Sequence, residues 1–239
     1  MPKTSERKNL DKSQGFLQQL DDVTYSSEIF LQRHAKKIGV FLTIIVLMVG
    51  VYFSYLKLYL NPQQEQALKE LFYVKQYFIQ DDMKKALGGK GAKGGYLGFA
   101  GIVEKYPLTK AANIARYYVG VCYYNLSDYK NAIEAWKKFY TDDEILSSMK
   151  YGMIGDAFAQ LKKSSDALEY YLKAANQKDN TFTTPLYYYK AALLAFSMDK
   201  YQEAKKYFTE VKEKYPNISF AIDVDKYLAL IDHHSQKPS

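Results

Sequence analysis

The amino-acid sequence predicts an all-α protein, in which one N-terminal transmembrane helix precedes an α-solenoid of about four helical pairs with a C-terminal capping helix. Three observations carry that expectation. The 19 residues from Ile38 to Leu56, IGVFLTIIVLMVGVYFSYL, hold no charge, and a helix crossing the hydrocarbon core needs roughly 20 apolar residues. Beyond Asn61-Pro62 the apolar residues recur at three- and four-residue spacing, without strand-like alternation. That stretch also repeats itself. Gly120, Gly155 and Ala192 occupy one equivalent position, Ala132, Ala167 and Ala204 a second, and Trp136, Tyr171 and Phe208 a third, at offsets of 35 and 37 residues.

The elements follow in order. Residues 1–37 form a cytoplasmic segment in which Ser26-Ser27 caps a juxtamembrane helix. Phe16, Leu17, Leu20, Ile29, Phe30 and Leu31 read equally well as a stripe for the membrane surface or a partner and as part of a disordered tail. Residues 38–60 are the transmembrane helix. Arg33, Lys36 and Lys37 abut its start, while Tyr52, Tyr55 and Tyr59 lie near its end, where amphipathic rings favour the interface. The basic flank orients the chain N-terminus inward, with residues 61–239 outside the cytoplasm. Phe53-Ser54-Tyr55 does not fit a small-x-small cleavage site, so the anchor is expected to be retained.

Residues 61–112 read as an irregular first helical pair. Its first helix is expected over 65–80, and its second is marked by Phe99 to Pro107, which repeats the spacing of Phe208 to Pro216; the glycine-rich insertion 88–95, GGKGAKGG, separates them. Three regular repeats fill 113–217, and 218–239 supply a capping helix and tail, as the end of a solenoid requires.

Composition removes several function classes. One cysteine and three histidines rule out a disulfide framework and a structural zinc site. The net charge of +7 divides at the anchor: residues 1–37 carry seven basic and five acidic side chains, Lys57 adds one, and the remainder carries 25 basic against 21 acidic. Evenly mixed signs argue against a nucleic-acid partner, which asks for a basic stripe. The composition is unusual in its 24 tyrosines.

Tyr117, Gly120, Tyr123, Tyr124, Leu126, Asp128, Tyr129, Ala132 and Ile133 stand where the tetratricopeptide-repeat pattern wants them, and the chain resembles that family. The resemblance implies units of two antiparallel helices, whose first helices line a concave groove for a protein partner. Carried over position by position, that groove comprises Ile114, Tyr117, Val121 and Tyr124; Met149, Asp156 and Gln160; and Leu186, Tyr189, Leu193 and Phe196. Family members that clamp the acidic tails of heat-shock chaperones place lysine, asparagine and arginine in the groove, and only Lys190 stands suitably here. An apolar, tyrosine-lined groove suits an apolar peptide segment or a partner helix. The same side chains also suit packing between units or against the C-terminal helix.

No enzyme is visible in the sequence, and no cofactor is expected. GGKGAKGG lacks the serine or threonine after a Gly-Lys pair, and the leading strand, that a phosphate loop needs. Cys122 falls where the family has a small buried residue, and His233-His234 lack a third metal ligand. Asp81-Asp82 and Asp142-Asp143-Glu144 lie at helix boundaries, where carboxylates cap backbone amides.

The combination of short cytoplasmic segment, anchor and external array resembles the YfgM family, ancillary subunits of the bacterial Sec translocon, and DDEILSSMKYGMIGDAFAQL and NTFTTPLYYYKAALL look like anchored repeat proteins of Bacteroidota-type bacteria. The resemblance implies an inner-membrane protein with a periplasmic array. Its partners would be the lipid bilayer, Sec translocon subunits, a PpiD-like membrane-anchored chaperone and unfolded client segments. Two other readings stay open: a scaffold in outer-membrane or cell-wall assembly, disfavoured because Cys122 is no lipobox cysteine, and a cytosol-facing organelle receptor.

Overall fold

The computed structural model describes residues 34–88, 95, 97–219 and 221–236, which form two units, Met1–Asn61 and Pro62–Ser239. Arg33, the helix expected near residues 26–31 and most of the 88–95 stretch lie outside the described residues. Helices α1 to α11 account for nearly all of the rest, and no strand occurs among the described residues.

In the first unit, α1 spans residues 34–55 and a π-helical turn spans Leu56–Leu60. The helical stretch His34–Ile79 includes one helix long and apolar enough to cross a membrane, with none of its apolar window buried in the protein. Lys36 and Lys37 are exposed near its start. Tyr52, Tyr55 and Tyr59 are exposed near the π turn, the last two stacked with ring centroids 5.4 Å apart.

The second unit begins with α2 (Asn61–Ile79), α3 (Met83–Leu87) and α4 (Gly98–Lys105), and continues through α5 (Lys110–Asn125), α6 (Tyr129–Lys138), α7 (Glu144–Gln160), α8 (Ser164–Ala175), α9 (Thr183–Ser197), α10 (Tyr201–Lys214) and α11 (Ala221–Gln236). Side-chain oxygens start several of these helices: Asp82 accepts from Lys85 N–H, Thr109 from Ala112, Asp128 from Asn131 and Asp143 from Leu146. Asp82 and Asp143 are thus capping residues, as their positions in the sequence suggested.

Four turns share one construction. Asp81, Ser127, Lys162 and Asp199 adopt positive φ of 61°, 63°, 58° and 57°. The following amides reach back to Tyr77, Tyr123, Phe158 and Ala195 carbonyls at 2.8–3.0 Å, the bond that closes a helix through a left-handed residue. Four residues after each N-cap stands a fully buried alanine: Ala86, Ala132, Ala167 and Ala204. Four further on in the last three units comes a buried aromatic: Trp136 packs over Gly120 and Tyr171 over Gly155 of the preceding helix, and Phe208 shares a core cluster with Ala192.

This register corrects the expected first pair. The sequence reading placed the glycine stretch between two helices, whereas α3 begins before it, so the insertion interrupts the second helix of the unit. Ala86 is on one side of the break and Phe99, also fully buried, on the other. They are 13 residues apart, so residues 89–97 account for the excess over four. Gly88 (φ 53°) and Gly98 (φ 63°) meet at the base of the insertion, where a Cβ on Gly98 would lie 2.5 Å from the Gly88 Cα. Only glycine permits that approach with those dihedrals. Deleting residues 89–97 together with Gly88→Ala and Gly98→Ala is expected to join α3 to α4 and to stabilise the domain by about 1–2 kcal/mol, since no loop then needs closing. Circular dichroism during urea unfolding checks this; a loss of cooperative unfolding would show that the helical register is wrong.

The core runs along the stack in three clusters. Ala67, Leu71 and Val74 of α2 pack with Phe99, Ile102 and the buried face of α5. Trp136 and Ile133 pack with Ile154 and Ala157 of α7. Tyr187 and Phe208 pack with Val224 and Ile231 of α11, the closing helix.

Candidate functional site

The site is built on the face shared by α5, α7 and α9. Gly120, Gly155 and Ala192 keep these first helices close to their partners. A Cβ on Gly120 would fall 2.3 Å from the Trp136 Nε1, and one on Gly155 2.7 Å from the Tyr171 ring. At the 35- and 37-residue offsets, Gly152 stands where its neighbours have Tyr117 and Tyr189. The missing side chain leaves room that Tyr187 fills, with its ring 2.0 Å from where a Gly152 Cβ would be.

At the centre is a polar cluster. Asp156 Oδ1 accepts the Tyr171 hydroxyl at 2.6 Å, and Lys190 Nζ donates to Oδ1 and Oδ2 at 2.8 and 2.9 Å. The same ammonium lies 5.6 Å from the Tyr171 ring centroid and 5.9 Å from that of Tyr187. Three first- and second-helix elements, α7, α8 and α9, are thereby tied through one carboxylate. Burial, then the negative charge of Asp156, pushes the Tyr171 and Tyr187 phenols well above the usual tyrosine range. The same two causes raise Tyr124, whose hydroxyl bonds to Gln160, and burial raises Tyr117.

These shifts fix a sign. The unfolded chain releases phenolic protons near pH 10, while the folded chain retains them to higher pH, so stability from these groups is complete below about pH 10 and is lost as pH rises from there through the folded values. Tyr215, pushed up to about 12 by burial and its hydrogen bond to Asp179, acts in the same direction. The urea midpoint is expected to be flat below about pH 9 and to fall above about pH 10, and Tyr171→Phe is expected to blunt the fall. A midpoint rising through that interval would contradict the buried placement.

The remaining expected groove residues divide into two sets. Ile114 is exposed, Gln160 is exposed beside Tyr124, and Met149 and Val121 are half-buried. Tyr117 rests against Phe139 with centroids 5.6 Å apart, and Tyr124 against Tyr129 at 5.3 Å and Trp136 at 5.9 Å. Tyr189 instead packs on Phe208 at 6.0 Å, and Phe196 on Tyr201 and Tyr227 at 5.5 and 5.3 Å. Leu186 and Leu193 join the same terminal core. All four rings are thus half-buried against the second helix of their own unit, with Tyr227 of α11 added on Phe196, and the exposed members of the set are Ile114 of α5 and Gln160 of α7.

Sequence reasoning missed Tyr171, Tyr187 and Lys190 as members of the central cluster. The signal that could have found them was the glycine at 152, out of line with two tyrosines in its repeat position. Lys190, the lone candidate for an acidic-tail clamp, is neutralised by Asp156.

The Cys122 thiol is buried and pushed up to about 12 by that burial, far from a reactive thiolate. Among the described residues no group of three histidine, cysteine or carboxylate side chains could hold a metal ion.

Stacked helical pairs with an inward small residue and an aromatic wedge define a helical-repeat scaffold. The scaffold carries tetratricopeptide repeats: residues 115–143 and 187–217 match one tetratricopeptide-repeat family model and residues 151–181 another. Such arrays serve as protein-interaction scaffolds. Among solved structures, two of MamA superpose with TM-scores of 0.52 and 0.55, each at 18% identity, covering 68% and 72% of this chain and 84% and 83% of theirs. The TPR2B domain of yeast Sti1, in a structure described as its pHsp70 complex, has a TM-score of 0.42 at 19% identity, covering 51% of this chain and 97% of its own. No curated protein matches the sequence.

Proposed function

We propose that the protein is a membrane-anchored, non-enzymatic interaction module of the bacterial inner membrane, with its repeat array in the periplasm. In this reading it serves as an ancillary subunit of the Sec translocon and, with a PpiD-like chaperone, receives emerging envelope proteins. The observation that carries the reading is the face of α5 and α7, which carries exposed Ile114 and Gln160 and half-buried Tyr117, Tyr124 and Met149 together with a carboxylate, Asp156, already paired with Lys190. Such a face offers apolar area and hydroxyl groups and no free lysine at the α9 position, which suits uncharged unfolded segments over acidic tails. The helix long and apolar enough to span a bilayer supports the anchored part of the reading, and its basic flank the orientation.

Affinity purification of the tagged full chain in mild detergent, with mass spectrometry of partners, tests the proposal. Translocon subunits and a membrane-anchored chaperone are the expected recoveries. Recovery of cell-wall or outer-membrane assembly components in their place would favour a scaffold, and digestion of residues 61–239 by protease from the cytosolic side alone would overturn the orientation.

A further inference from the structure

At the offsets of 35 and 37 residues, Arg116, Tyr151 and Tyr188 occupy one position of the first helices, and Ala135, Tyr170 and Tyr207 one position of the second. In the two later units the tyrosines pair across the helices. Tyr151 and Tyr170 have ring centroids 6.3 Å apart, and Tyr188 stacks on Tyr207 at 6.2 Å. Phe158 adds a third ring 5.3 Å from Tyr170, and the Lys173 ammonium lies 4.5 Å from the Tyr151 centroid and 5.7 Å from that of Tyr170. The α5–α6 unit has Arg116 and Ala135 in place of both tyrosines yet keeps their surroundings, since Tyr123 corresponds to Phe158 and Lys138 to Lys173. Where the rings are missing, a cleft of about 210 Å³ opens between α4, α5 and α6, with Val103, Val119 and Tyr123 in its lining beside Arg116, Ala135 and Lys138. A hydrogen bond to the Pro107 carbonyl at 2.8 Å fixes Arg116, and Glu134, also at the cleft, is bridged to Lys137 at 3.4 Å. Residues 116, 119 and 123 lie on the other side of α5 from Ile114, Tyr117, Val121 and Tyr124, so the cleft is separate from the face described above.

We propose that this cleft binds one aromatic side chain of a protein partner, which takes the place that Tyr170 and Tyr207 hold in the neighbouring units. An apolar cavity of roughly 150 Å³ holds a benzene ring, so the cleft has room for one ring. The entering ring meets Tyr123 as Tyr170 meets Phe158, in the offset or tilted arrangement that aromatic pairs favour. It meets Lys138 as Tyr170 meets Lys173, with the ammonium over the electron-rich face. Arg116 adds a second cation to the same lining. An aliphatic side chain of equal size gains the apolar area of Val103 and Val119 and lacks a face for either cation, so the cleft selects for aromatic character. A protein source follows from the repeat scaffold and from the mouth of the cleft, where exposed Asn131 and Lys138 leave a path for the backbone that carries the ring. The site does not depend on the translocon reading.

Methyl NMR of the full chain in detergent micelles, read at Val103 and Val119, tests the site. Titration with N-acetyltyrosine amide is expected to shift both valines, with a dissociation constant at least fivefold lower than that of N-acetylleucine amide. Ala135→Tyr returns the missing ring to the cleft and is expected to abolish tyrosine-amide binding there, with the circular-dichroism spectrum unchanged. Lys138→Met changes an exposed side chain, so it keeps the test decisive even if Ala135→Tyr fails to fold. It is expected to weaken tyrosine-amide binding at least threefold and to leave leucine-amide binding unchanged. Unshifted valines, equal affinity for the two amides, or undiminished binding by a folded Ala135→Tyr protein would each overturn the proposal. Binding of free p-cresol without binding of N-acetyltyrosine amide would overturn it too, because the cleft would then admit a small aromatic molecule and exclude a ring borne on a backbone.

Discussion

Trp136→Ala is expected to destabilise the repeat domain by about 3–5 kcal/mol, the range for deleting a fully buried large aromatic, and to be the most damaging single truncation in the array. Trp136 is 1% exposed and belongs to the core cluster that joins α5 and α6 to Ile154 and Ala157 of α7. Its removal opens a cavity at the junction between two units. It also removes a hydrogen bond between the two helices, because the indole Nε1–H donates to the Tyr117 carbonyl at 3.2 Å. Urea unfolding followed by far-ultraviolet circular dichroism measures the loss; a cost below about 1 kcal/mol would mean that the ring is not a wedge between units.

The companion change Gly120→Ala tests the same contact by its sign. Helix propensity alone predicts a gain of about 1 kcal/mol from replacing a mid-helix glycine. The indole, which approaches to 2.3 Å of the added Cβ, predicts instead a loss of about 1–3 kcal/mol through overpacking. A stabilised Gly120→Ala protein would contradict the observed helix approach. Trp136 is the chain's single tryptophan, so its fluorescence in the Gly120→Ala protein reports whether the ring has moved.

The fold was legible because each local signal of a helical repeat has a steric cause visible in one residue type. A glycine or alanine stands where two helices touch, an aromatic stands four residues past an alanine, and the offsets of 35 and 37 residues tie these pairs together. Ala86 escaped notice because its aromatic, Phe99, is 13 residues away, and a self-comparison without gaps does not pair them. The site was less legible for a different reason. Repeat position fixes which way a side chain starts, yet whether it stays open depends on what arrives from the next element. Tyr189 and Phe196 begin on the same kind of position as Tyr117 and Tyr124, and α10 and α11 engage them. Lys190 is identifiable in sequence as a groove cation, while its pairing with Asp156 across 34 residues follows only from the packing of α7 on α9.

Asp156→Ala is expected to cost about 2–3 kcal/mol, the second largest effect, and to separate the structural role of the central cluster from any role in binding. The variant leaves the Tyr171 hydroxyl, on a ring 6% exposed, without its acceptor and removes the partner of Lys190. Breaking a fully buried pair costs about 3–5 kcal/mol; here the Asp156 and Lys190 side chains remain 30% and 34% exposed, so solvent screening and the freedom of Lys190 to turn outward lower the figure. Tyr171→Phe alone is expected to cost about 1 kcal/mol, the net worth of one hydrogen bond. Lys190→Met keeps an unbranched side chain beside the Tyr171 and Tyr187 rings and removes the charge, so the cycle of Asp156→Ala, Lys190→Met and the double variant isolates the ion pair, with an expected coupling of about 1–2 kcal/mol. Additive single effects would show that the carboxylate serves Tyr171 alone. Freed from Asp156, the Lys190 ammonium becomes an unpaired cation on a tyrosine-lined face. Asp156→Ala is therefore expected to gain affinity for acidic C-terminal peptides at least fivefold relative to the native chain, measured by fluorescence anisotropy of labelled peptides, while Asp156→Ala with Lys190→Met loses that gain. Equal acidic-peptide binding by the native protein and both variants would show that the Asp156–Lys190 pair does not control what the face accepts.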